Sequence, residues 1–160
     1  MNAVHTRAEG RDLVLSMIID AAPARVYQAW TDPTLICQWF TPPPWRVARA
    51  ELDVRAGGAS LIVMVAPDGK EFPNRGVFLE VVPEQRLVFT DAYVQGWEPS
   101  AKPFMTVILS FEPFDGRTRY TAVVRHWTEA DRQAHEQMGF HQGWAQTSRQ
   151  LAALVQPATR

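Results

Sequence analysis

Between Ala24 and Trp45 the chain reads ARVYQAWTDPTLICQWFTPPPW, a stretch that holds three of its six tryptophans and is broken twice. Val26, Tyr27 and Trp30 fall at helical spacing, and Asp32-Pro33 ends that helix. A second short turn of helix is expected through Leu35, Ile36 and Trp39-Phe40, stopped by Pro42, Pro43 and Pro44. Two short aromatic helices bury little against each other. Their apolar faces need a large curved partner, and the rest of the chain has to build it.

Most of that remainder reads as strands. Residues 12–20 (DLVLSMIID) alternate Leu13, Leu15, Met17 and Ile19 against Val14, Ser16 and Ile18. Further strands are expected at 46–53, 60–66, 76–82, 87–92, 104–111 and 118–126. The turn signals between them include Arg55-Ala56-Gly57-Gly58, Pro67-Asp68-Gly69-Lys70 and Phe114-Asp115-Gly116-Arg117. Short turns between successive strands define an antiparallel meander. From about Thr128 to Val155 the period changes to three and four, through Phe140, Trp144, Thr147/Ser148, Leu151 and Leu154/Val155. Thr128, followed by Glu129 and Asp131, supplies a cap and an acidic first turn. Gly139 and Gly143 weaken this helix in the middle and admit a kink or a close neighbour. The order is strand, two short helices, six strands, one long helix: an α+β chain with a seven-stranded curved antiparallel sheet around a long C-terminal helix. A helix is narrower than such a trough, so a mostly apolar pocket is expected between them.

Length and charge narrow the classes of partner. The 160 residues suit a single domain, with an ordered core at about 12–155. Sixteen basic residues balance seventeen acidic ones without a basic block, which argues against nucleic acid and anionic membranes. No apolar run has the length of a signal peptide or a membrane span, so cytoplasmic residence is the simplest expectation. Cys37 is the single cysteine and reads as a small buried apolar residue.

The residues IIDAAPARVYQAWTDP, the QWF of Gln38–Phe40, Asp53 with RAGG, Asp68-Gly69, Gly76 with FLEVVPEQRLVFT, the hairpin VILSFEPFDGRTRYTAVVRH and Gly143-Trp144 stand in a recognisable order. As an ordered set they resemble the helix-grip superfamily of START-like and birch-pollen-allergen-like domains (SRPBCC). Within it, they are most similar to the family related to the activator of heat-shock-protein-90 ATPase. The resemblance runs from about Asp12 to Val155. It implies a helix-grip fold and a cavity under the helix. Superfamily members include lipid and hormone carriers, polyketide cyclases and co-chaperone domains. The family's eukaryotic co-chaperones carry an additional N-terminal domain, for which this chain is expected to have no room.

Strand parity assigns candidate lining residues. Val107, Leu109 and Phe111 should face the helix, as should Tyr120 and His126, because Arg119 and Arg125 of opposite parity belong in water. Tyr120 and His126 would be polar groups in a greasy chamber, or core residues bonded to backbone or water. Met138, His141 and Trp144 step by three along the helix half that the fold places near the mouth. Trp39 and Phe40 should close the chamber from the short-helix side, with Trp45 either joining them or packing under the sheet edge. Trp97 sits in the long connection 93–103 and reads as a lid or a dimer contact. Every one of these aromatics could equally be ordinary core.

Motifs for chemistry are sparse. His135-Glu136 lacks a second histidine four residues on, and no nucleophile elbow or phosphate loop occurs. No catalytic residue, metal or cofactor is assigned. Three readings remain: a small-molecule binding protein holding an apolar or aromatic ligand, a cyclase-, dehydratase- or hydrolase-like enzyme, and a co-chaperone-like interaction domain. The enzyme reading requires Tyr120 and His126 within hydrogen-bond reach, with Glu80 or His141 nearby. The interaction reading requires a collapsed pocket and an apolar surface patch. A homodimer is an ordinary assembly for such a domain, and a chaperone partner is the weaker expectation.

Overall fold

The alternating segments form one eight-stranded antiparallel sheet in the computed structural model, which describes residues 3–157. In chain order, β1 (His5–Glu9) and β2 (Asp12–Ile19) lead into α1 (Pro23–Thr31) and α2 (Pro33–Ile36). Next come β3 (Arg46–Leu52), β4 (Ala59–Val65), β5 (Glu71–Val82) and β6 (Arg86–Thr90). A small ribbon, β7 (Tyr93–Val94) with β8 (Glu98–Pro99), precedes β9 (Thr106–Phe114) and β10 (Arg117–Arg125). Two helices, α3 (Glu129–Gln137) and α4 (Phe140–Val155), end the chain. Across the sheet the order is β1-β2-β10-β9-β6-β5-β4-β3. No helix among the described residues is long and apolar enough to cross a membrane.

The structure departs from the sequence expectation in several places: β5 begins at Glu71 rather than residue 76, α2 ends at Ile36, and the connection 93–103 holds the β7–β8 ribbon. The sheet has eight strands rather than seven, because residues ahead of Asp12 pair as β1, with His5 opposite Ser16 and Glu9 opposite Asp12. His5–Glu9 is an edge strand with little buried on either face, so its sequence carries no alternation to read. The long C-terminal helix is two helices. Gly139 stands between them at φ 100°, a left-handed conformation that only glycine adopts cheaply. Thr128 caps α3 by accepting a bond from the Asp131 amide at 3.0 Å.

Register decides what faces inward. Leu13, Leu15, Met17 and Ile19 of β2 share the concave face with Tyr120, Ala122 and Val124 of β10. Val107, Leu109 and Phe111 of β9 and Leu87 of β6 complete that face, all at 0–1% exposure. Val26, Ala29 and Trp30 of α1 and Phe140, Leu151, Ala152 and Val155 of α4 cover it. Register shifts at Val47/Arg49 and Phe78/Glu80 bend the far strands over this core. Gly76 allows the bend at close quarters, since a Cβ there would sit 2.2 Å from the Thr90 carbonyl oxygen. The ends of the trough are tied by side chains: Thr118 Oγ1 donates to the Ala21 carbonyl at 2.7 Å, and Arg125 forks onto Asp12 at 2.9 and 3.1 Å.

The two helix glycines should respond oppositely to alanine. Nothing lies within 4 Å of a Cβ built on either one. Gly139→Ala should cost about 1–2 kcal/mol for its left-handed backbone. Gly143→Ala, inside α4, should gain about 0.5–1 kcal/mol from helix propensity. Urea unfolding of the two variants checks this, and equal shifts would contradict the assigned helix break.

Candidate functional site

The turn from α1 to α2 sets the floor of a cavity. Asp32 Oδ1 accepts from the Thr34 and Leu35 amides at 2.8 and 3.3 Å, and Pro33 starts α2. That corner folds Trp39 back onto Trp30, with ring centroids 4.8 Å apart at 73°. Each indole N–H is satisfied: Trp39 Nε1 donates to the Ala29 carbonyl at 2.9 Å, and Trp30 Nε1 to the Tyr120 hydroxyl oxygen at 3.1 Å. Phe89 and Phe40 stand against Trp30 at 5.6 and 6.0 Å. From α4, Gln150 Nε2 donates to the carbonyls of Trp39 and Thr41 at 2.8 and 2.9 Å. This clamp fastens the Phe40 segment to the long helix.

Between these elements and the sheet lies a cavity of about 230 Å³. Its floor is Trp30, Trp39, Tyr120 and Ser148, each under 5% exposed. Phe40, Met64, Met105 and Trp144 form half-buried walls, and exposed Asn74 with Pro42, Gly143 and Thr147 stands around the mouth. Trp144 is braced by Phe140, with rings stacked 5.3 Å apart. A side chamber of about 70 Å³ shares Phe40, Asn74 and Met105 and reaches Gly76 and Asp91. Among the described residues, Tyr120 is the one with a titratable side chain on the main wall. Burial raises its pKa well above the usual phenol range, and the Trp30 hydrogen bond offsets this only in part, so it stays a neutral hydroxyl.

The structure thus brings Trp39, Phe40, Tyr120 and Trp144 together. The other residues singled out from the sequence stand elsewhere. Val107 and Leu109 face inward but are packed to 0% exposure beneath the helices, so they meet no open space. Trp45 packs against Phe72 at the sheet edge, with ring centroids 5.5 Å apart and tilted by 40°. Trp97 has positive φ, is 57% exposed and rests by Tyr93 and Gly57, off the cavity wall. Met138 caps the end of α3 at 74% exposure, because the break at Gly139 turns it outward. His141 bonds Glu136 Oε2 and Thr6 Oγ1, both at 2.7 Å, tying α4 to β1. Trp30, Met64, Met105 and Ser148 were not assigned to the wall from sequence. The signal for Ser148 was there: a hydroxyl one turn beyond Trp144 on the apolar helix face.

His126 is not a partner of Tyr120. Six residues of strand separate them by roughly 20 Å, and Glu80 pairs with Arg86 at 2.8 Å on the exposed face. His126 Nδ1 faces the Arg11 carbonyl at 2.9 Å and so must donate. Its Nε2 lies 2.9 Å from His135 Nδ1, and one ring donates to the other across that contact. Phe104 and Phe140 enclose His135 at 4.7 and 5.1 Å. Burial, with His126 beside it, lowers the His135 pKa to about 4. This pair docks α3 away from the cavity. Burial also raises the Cys37 thiol, the opposite of nucleophile activation. Among the described residues, no group of three His, Cys, Asp or Glu side chains converges as a metal site.

A curved antiparallel sheet closed by a long C-terminal helix over an aromatic chamber defines a helix-grip protein of the SRPBCC superfamily. The family described as Activator of Hsp90 ATPase homolog 1-like protein matches residues 20–156, and the chain belongs to it. Proteins of this kind generally have a ligand-binding cavity. Among solved structures, a protein from Nitrosomonas europaea is 39% identical with a TM-score of 0.88, covering 92% of this chain and 96% of that one. A protein from Mycobacterium smegmatis is 23% identical at a TM-score of 0.83, with coverage of 99% and 100%. An AHSA1-like protein from Aeromonas hydrophila is 22% identical at 0.70, with coverage of 93% and 99%. The last two likenesses concern the fold alone. No curated protein matches the chain.

Buried His135 makes stability depend on pH. Histidine titrates near 6.5 when unperturbed, against about 4 for His135 in the folded protein, so the unfolded chain takes up the proton first. Its contribution is full above pH 6.5 and is lost as pH falls toward 4. The urea midpoint should drop across that interval, and His135→Phe should flatten the upper part of the drop. An unchanged slope in the variant would show that other groups cause it.

Proposed function

We propose that this protein binds a small apolar or aromatic molecule in the cavity between the sheet and α4. One observation carries the reading: a chamber of about 230 Å³ walled by Trp30, Trp39, Phe40 and Trp144, with no charged side chain on its wall among the described residues. Apolar surface moved from water into such a chamber contributes about 25 cal/mol per Å². Paired indole hydrogen bonds and the Gln150 clamp hold the walls before any ligand arrives, so little ordering remains to oppose binding. The wall presents one phenol and no second acid or base beside it, which favours holding a ligand over proton-transfer chemistry.

Native mass spectrometry of protein taken from its own host, followed by denaturing extraction, tests this. The expected result is a co-purifying apolar small molecule, lost or reduced at least about tenfold in Trp144→Ala. A protein that stays empty and leaves its tryptophan fluorescence unchanged against a library of neutral aromatics would contradict it.

A further inference from the structure

The cavity floor carries hydrogen-bonding capacity that the fold itself leaves unspent. The Tyr120 oxygen accepts from the Trp30 indole at 3.1 Å, which fixes the phenol's position. Its own O–H has no acceptor among the described residues, although the side chain is 1% exposed. Ser148, 2% exposed on the same floor, has no hydrogen-bond partner among the described residues either. Thr147, one residue earlier, instead returns its hydroxyl to the Trp144 carbonyl at 3.3 Å. The Tyr120 O–H and the Ser148 hydroxyl, both on the cavity floor, are the complement of a polar atom on a guest.

Size and charge limit that guest. A dry cavity of about 150 Å³ takes up benzene, so the 230 Å³ here suits roughly two fused rings and leaves little room for a long acyl chain. Among the described residues, the main wall has no lysine, arginine, histidine or carboxylate to balance a charge. The side chamber reaches Arg75 and Asp91, but Asp91 Oδ1 already accepts the Phe104 and Met105 amides at 2.8 and 3.0 Å, and Arg75 is exposed. Met64 and Met105 give the walls some freedom to fit a flat ring.

We propose that the ligand is a neutral aromatic of about two rings bearing a carbonyl-type oxygen, seated with that oxygen on the Tyr120 hydroxyl and within the reach of Ser148. The proposal rests on the binding reading above and names its chemical class. Burial keeps Tyr120 protonated, so it recognises an acceptor by donating a proton.

A pair of matched probes tests it: acetylnaphthalene and isopropenylnaphthalene, which have the same shape but differ in one carbonyl oxygen. Both are titrated by tryptophan fluorescence into the wild-type protein, Tyr120→Phe and Ser148→Ala. The ketone should bind wild type about tenfold more tightly than the alkene, and Tyr120→Phe should abolish that preference. Because Tyr120→Phe also removes the acceptor of the Trp30 N–H, the wild-type and Ser148→Ala complexes provide a second readout. There the bound ketone's carbonyl stretch should fall below its value in hexane. Equal affinity of both probes for wild type, or an unshifted stretch, overturns the acceptor assignment and leaves the cavity reading standing. Failure of both probes to bind overturns the two together.

Discussion

A twisted sheet of eight strands is wider than any one helix laid along it, and the rest of the architecture follows from how that mismatch is filled. At the β2, β10 and β9 side the concave face is packed solid by α4 and α1, with Leu13, Leu109, Ala122 and Leu151 all at 0% exposure. Toward β4 and β5 the sheet curls past the reach of α4. Large aromatic rings from the α1–α2 corner take that space without filling it. Trp30 and Trp39 cannot rotate inward to collapse the void, because each indole N–H is held by a buried acceptor. The chamber is thus a consequence of hydrogen-bonded walls.

Much of this was legible because period-2 and period-3.6 patterns are projections of burial. Strand parity placed Val107, Leu109 and Tyr120 on the inner face, and Asp32-Pro33 located the corner between the short helices. What the pattern could not convey was depth. Val107 and Tyr120 share a face, yet one is sealed beneath helices and the other borders open space. The same limit separated His126 from Tyr120, since parity says which side a residue takes and nothing of how far along the strand its partners lie. Edge strand His5–Glu9 was silent because neither face is buried. The helix break at Gly139 was signalled by the glycine, but its left-handed φ, which redirects Met138 and brings His135 against His126, is a tertiary outcome.

Membership in the Activator of Hsp90 ATPase homolog 1-like family places the fold and cavity in context without choosing a ligand. The choice comes from side chains particular to this wall. A chamber lined by indoles and methionines, with a phenol at its floor, is the ground on which a flat uncharged guest is proposed. Large apolar residues do stand in water at Trp97, Trp127 and Met138, in three different connections outside the cavity wall. The inward tryptophans are the ones whose surroundings are built.

Six tryptophans spread over wall and surface make the protein its own reporter. The measurement that bears most directly on the account is a ¹⁵N–¹H spectrum of the indole N–H groups during titration with acetylnaphthalene. Trp30, Trp39 and Trp144 line the cavity, whereas Trp45, Trp97 and Trp127 do not. The account predicts that the first three signals move together and saturate while the other three stay in place. Movement confined to Trp97 or Trp127, or no movement at any indole, would contradict a ligand site beneath the long helix.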